Sequence, residues 1–164
     1  MPFAAARGQS VAAPHNVLSI QPINAVFTAY SGEYERRLGA ASTFGVGGTF
    51  FDAGDGTDKL TYKSGDVKLR YYPEGTALMG FSFGVTGGFS SITGTDATSG
   101  SETTVSGPSA GFLLEYQWLM GVQRNVSVAL GAGAKAVFVK DTDFSSDSYS
   151  ARYPTVRVSI GYAF

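Results

Sequence analysis

Cysteine is absent from this 164-residue chain. Its absence removes disulfides, thiolate metal sites and cysteine nucleophiles. Histidine occurs once, as His15, so a Ser-His-Asp relay would have a single candidate base. Charge is also scarce: 15% of residues are Asp, Glu, Lys or Arg, against ~25% in soluble domains. The formal net charge of −1 leaves no basic footprint for nucleic acid. No run of 18 apolar residues exists, so no transmembrane helix is expected. Helical periodicity is hard to find anywhere.

What the chain has instead is glycine (22 residues), aromatics (13%) and alternation. In the final stretch, ARYPTVRVSIGYAF, Thr155, Arg157, Ser159, Gly161 and Ala163 fall on one face of a period-two pattern. Val156, Val158, Ile160, Tyr162 and Phe164 fall on the other. Similar alternation predicts eight strands, at Val17–Asn24, Ala29–Leu38, Ser42–Asp52, Leu60–Tyr72, Leu78–Ile92, Gly107–Trp118, Val126–Val139 and Tyr153–Phe164. Most match or exceed the ~9–11 residues that cross a bilayer at a tilt. Pro22 weakens the first strand, because proline cannot donate to a ladder. Short connections (GAA, PEGTA, LMGVQRN) alternate with mostly longer ones rich in Ser, Thr, Asp and Gly. The connection near Ala25–Thr28 departs from this alternation by being short.

The expected fold is all-β: an eight-stranded antiparallel up-and-down transmembrane β-barrel over residues 16–164. Residues 1–15 are expected to be a leader or signal remnant outside it. MPFAAARGQSVAAP has small-residue runs but neither a basic start nor a long apolar stretch.

Residue size assigns the faces. One face carries Phe, Leu, Tyr and Trp, and the other carries Gly, Ala and Ser with a few charges. An eight-stranded interior admits only modest side chains, so the bulky apolar face should be outside, in lipid. A basic residue there costs ~2–4 kcal/mol at the midplane. Arg36 has outward parity but lies beside a turn, where it can snorkel. The inward charges are Glu33, Glu35, Arg37, Asp66, Lys68, Arg70, Glu115, Lys135 and Arg157, nearly balanced in sign. Buried charges are tolerated when paired, so these are expected to form a salt-bridged plug rather than an ion path.

The ending GYAF resembles the C-terminal assembly signal of bacterial outer-membrane β-barrels. Residues 17–164 as a whole resemble the small OmpA-like, eight-stranded class. The segment LSIQPINAVFTAYSGEYERRL also resembles the opening of a poorly characterised family of such barrels. The resemblance implies a monomer in the outer membrane of a Gram-negative bacterium, in contact with lipid and lipopolysaccharide. It also implies that the barrel-assembly machinery reads Ile160, Tyr162 and Phe164. Barrels of this size that modify lipid A acyl chains use histidine with serine and a carboxylate. Here His15 precedes the first strand, so no catalytic residues and no enzyme activity are expected.

No cofactor or metal is expected either. GVGG and GAGAK lack the GxxxxGK[ST] spacing of phosphate loops, and DAGDGTD lacks the alternating ligands of a calcium loop. The loop acids Asp52, Asp55, Asp58, Asp96, Glu102, Asp141, Asp143 and Asp147 face Lys59, Lys140 and Arg152. They read as solubilising, with divalent bridging to lipopolysaccharide phosphates as the functional alternative. Tyr71, Tyr72, Trp118, Tyr149, Tyr153 and Tyr162 are expected as interface girdles. The expected role is structural or surface contact. The rival readings are a soluble lipocalin-like carrier and a lipid-modifying outer-membrane enzyme.

Overall fold

The computed structural model describes residues 13–22, 28–54, 59–95, 102–139 and 149–164. Eight strands close into one barrel in sequence order: β1 Asn16–Ile20, β2 Ala29–Arg37, β3 Ser42–Ala53, β4 Leu60–Tyr71, β5 Gly80–Thr95, β6 Glu102–Met120, β7 Val126–Val139 and β8 Tyr149–Ala163. Every neighbouring pair is antiparallel, which is the up-and-down topology expected. β1 and β8 close the seam through pairs such as Val17↔Ala163 and Ile20↔Ile160. At its end, Phe164 O accepts from His15 N (3.0 Å) and Asn16 N (2.9 Å). Residues 1–12 of the expected leader lie outside the described residues.

Boundaries differ from the alternation pattern at four places: β8 begins at Tyr149, four residues before Tyr153, and the other three have a physical reason. β1 stops at Ile20, short of Pro22, which has no N–H to give. Its connection to β2 therefore begins at Gln21. β5 and β6 run far into the Ser/Thr-rich stretch, from Gly80↔Gln117 up to Thr95↔Glu102. β-branched threonines favour strands, and Thr93 and Thr104 meet across the ladder at 3.0 Å between hydroxyls. Residues Glu102–Ser106 are exposed on both faces, so this end of the hairpin packs against nothing else among the described residues.

The third difference is at the opposite end. Leu78 was expected to open strand five, but it lies in the turn before it, at φ 73°. A left-handed backbone costs a leucine about 1–2 kcal/mol. Burying its side chain returns about 1.5–3 kcal/mol, and Leu78 is fully buried against Val17 and Ala163, with Leu119 packed alongside. The turn is tied to its neighbour by Tyr72 N donating to Ala41 O (2.8 Å) and Ala77 N to Ala40 O (2.7 Å). A small apolar cap thus closes the lumen at the short-turn end.

Between the ends, the faces alternate as size predicted. Leu69, Val85, Phe112, Leu130 and Ile160 point outward and are exposed, while Ser82, Leu113, Ala129 and Ser159 point inward and are buried. The outward charges Arg36, Lys63 and Arg152 lie toward strand ends, and Lys63 sits 5.8 Å from the Phe50 ring centroid. Tyr71, Trp118 and Tyr162 are exposed near the short-turn rim, where girdle residues belong. Tyr72 and Tyr153 are not girdle residues: parity points both into the lumen, and Tyr72 is fully buried. The side chain of Tyr149 lies outside the described set.

Candidate functional site

The interior of the barrel is built in layers, because each strand contributes an inward side chain every second residue. Above the apolar cap lies a polar layer. The Tyr72 hydroxyl donates to Gln117 Oε1 (2.7 Å) and lies 3.1 Å from Glu35 Oε1. Thr43 Oγ1 donates to the same Glu35 oxygen at 2.5 Å, and Gln117 Nε2 donates to Ser127 Oγ at 2.9 Å.

The ionic centre sits on this layer. Arg70, buried, reaches three carboxylates: Glu33 Oε1 at 2.6 Å from Nη2, Glu35 Oε1 at 3.1 Å from Nη1, and Glu115 Oε1 at 3.4 Å from Nε. Arg157 contacts Glu33 Oε2 (2.8 Å) and Glu115 Oε2 (3.1 Å). Lys68 donates to Glu33 Oε2. Glu33 thereby serves three cations from a position that is 3% exposed. Neither oxygen of Glu115 is in hydrogen-bonding alignment, so it is held by charge rather than by directed bonds. Glu33, Glu35 and Glu115 balance Lys68, Arg70 and Arg157, and the balance is what lets six charges share the interior. Toward the loop side, Lys135 Nζ pairs with Asp66 Oδ1 at 2.7 Å.

Glycines make the room. A Cβ at Gly45 would stand 3.3 Å from Glu33 Oε1 and 3.4 Å from Arg70 Nη1. Gly47 and Gly131 likewise lie against Glu33 and Glu115, and the glycine runs stay within strands.

Eight of the nine residues expected in the lumen thus come together, in one cluster of six and one pair. Arg37 does not. Its Nε donates to Gly39 O (2.9 Å) in the adjoining turn, because β2 ends there and the side chain bends toward the last carbonyls. Gln117 and Ser127 have the inward parity expected of them, but their joining with Thr43 and Tyr72 in one polar layer was not anticipated. Of the loop charges, Asp52 and Lys59 pair at 3.2 Å. Glu102 lies exposed at the start of β6 and Arg152 exposed on β8. Asp55, Asp58, Asp96, Lys140, Asp141, Asp143 and Asp147 lie outside the described residues. Ile160, Tyr162 and Phe164 project outward beside the seam, with the Tyr162 and Phe164 rings stacked at 6.0 Å.

No family model and no curated protein matches the chain. Among solved structures, the N-terminal β-barrel domain of Pseudomonas aeruginosa OprF is similar to it, with a TM-score of 0.47 and 14% identity, over 93% of this chain and all of that domain.

Proposed function

We propose that the chain is an integral outer-membrane barrel with a plugged lumen and a structural or surface-contact role. The observation that carries this reading is the inversion of the faces. Large apolar side chains circle the outside, and paired charges fill the inside. In water, exposing this much contiguous apolar surface would drive association. In lipid it is the favourable arrangement, and closing the sheet leaves no edge unpaired. A soluble carrier of an apolar ligand needs the reverse, with apolar residues around the ligand and polar ones outside. The single histidine, His15, precedes β1 and is exposed, away from the charges of the lumen.

Diluted from urea into phospholipid vesicles, the chain should insert and acquire a β-type circular dichroism spectrum, whereas diluted into buffer alone it should aggregate. Planar bilayers holding it should pass negligible current, because the cap and the ion network lie across one narrow lumen. A stable monomer in buffer would overturn the membrane assignment, and porin-sized steps would overturn the plug.

The C-terminus supplies a second measurement. Deletion of Phe164 would be ambiguous, since its carbonyl accepts two bonds at the seam and its N–H donates to Asn16 O at 2.9 Å. Phe164→Ala keeps those bonds and removes only an exposed ring. It should refold into detergent with stability within about 1 kcal/mol of the parent, since full burial of a phenylalanine is worth only ~1.5–3 kcal/mol. If the assembly machinery reads this ring, the yield of inserted protein in cells should fall severalfold. Unchanged insertion would reduce GYAF to the end of a strand.

A further inference from the structure

A cavity of about 540 Å³ opens on the loop side of the ion network, lined mostly by lumenal residues and at one wall by the outward-facing Phe112 and Val156. That volume is in the range of small-molecule sites, ~300–1,000 Å³. Among the described residues its charged lining is one-sided: Lys68, Lys135 and Arg157 face it with Asp66 alone against them. The carboxylates that balance two of these cations, Glu33 and Glu115, do not line it; they lie beneath, at 3% and 2% exposure. The network is neutral as a whole but polarised, with two of its three cations, Lys68 and Arg157, lining the cavity. Each lysine ammonium has three N–H donors, and among the described residues each bonds one carboxylate. Donors for an anion therefore remain on the floor.

The walls are of a different character. Phe51, Leu60, Ile92 and Leu113 line the cavity beside Tyr62 and Tyr153, whose hydroxyls meet at 3.3 Å. Apolar side chains inside a barrel whose outside already takes the apolar load have no lipid to face. A water-filled vestibule gains nothing from them. A floor of cations beneath an apolar wall matches a molecule with an anionic head and a short apolar body. The apolar cap at the other end makes the site blind, so such a molecule would be held rather than passed through.

We infer that the loop-side cavity is a binding site for a small carboxylate amphiphile, its carboxylate on Lys68 and Lys135 and its apolar part against Phe51, Leu60 and Ile92. This goes beyond the structural role proposed above. Conductance reads the plug and ligand titration reads the cavity, so the two can fail separately.

The test is a titration of the full chain in zwitterionic nanodiscs with hexanoate, and with hexanamide as its uncharged counterpart. Hexanoate should bind saturably, and hexanamide at least about tenfold more weakly, because a charge-assisted bond is lost. Asp66→Asn with Lys135→Gln removes the floor pair without stranding a charge, and it should also weaken hexanoate about tenfold. Ile92→Ser leaves every ion pair in place and should weaken it roughly fivefold through the wall alone. Circular dichroism reports whether each variant is folded. No saturable binding by the parent, equal binding of hexanamide, or unchanged binding by both folded variants would overturn the site.

Discussion

Glu33→Gln should cost about 3–5 kcal/mol of unfolding free energy, the usual penalty for removing one partner of a buried ion pair. The change is nearly isosteric, so the loss would not come from a cavity. It would come from Lys68, Arg70 and Arg157, all three of which point at the Glu33 carboxylate. Without it, three cations face only Glu35 and Glu115, and the Gln amide turns two donors toward other donors. Urea titration in phospholipid vesicles, followed by fluorescence of the single tryptophan, Trp118, measures the effect. Adding Arg157→Gln restores the balance of the cluster. The double variant should therefore be less destabilised than the two single costs summed. A cost below about 1 kcal/mol for Glu33→Gln would mean that the network fills space without holding the barrel together.

Val85→Arg tests the outside of the barrel in the same assay. Val85 is 60% exposed, and its register partners Leu69 and Phe112 are exposed as well. In water, arginine at such a site changes stability by less than about 0.5 kcal/mol. In the middle of a hydrocarbon layer it costs about 2–4 kcal/mol. Val122 is the control. It is 95% exposed, in the turn between β6 and β7, where Val122→Arg should be nearly neutral in either medium. A large difference between the two variants is the expected outcome. Equal, small costs would mean that Val85 meets water, and the barrel would not be a membrane protein.

Period-two alternation is a local property, and it carried most of the fold. The parity of Val156 to Phe164 set which residues face out, and the size difference between the faces set which side is lumen. All eight strands are legible in this way, though not all their ends. Alternation carries the first, Asn16–Ile20, too far past Pro22, and it stops short in Gly80–Thr95, Glu102–Met120 and Tyr149–Ala163, where Ser- and Thr-rich sequence reads as loop. Composition also disclosed the near-balance of inward charges. Which charges meet, however, depends on the stagger of eight strands around a closed barrel. Glu33 and Arg157 are 124 residues apart in sequence, and no local pattern sets their relative height. The same holds for Lys135 and Asp66, 69 residues apart. Arg37 shares the parity of Glu33 and Glu35 but sits at the last residue of its strand, where a turn carbonyl is nearer than the lumen. Leu78 looked like the start of a strand, and only the space left between Val17 and Ala163 draws it into a left-handed turn as the cap. Alternation along a strand depends on the chain's own geometry and can be read from sequence. The cap, the ion pairs and the cavity above them depend on the distances between strands, which exist only once the sheet has closed.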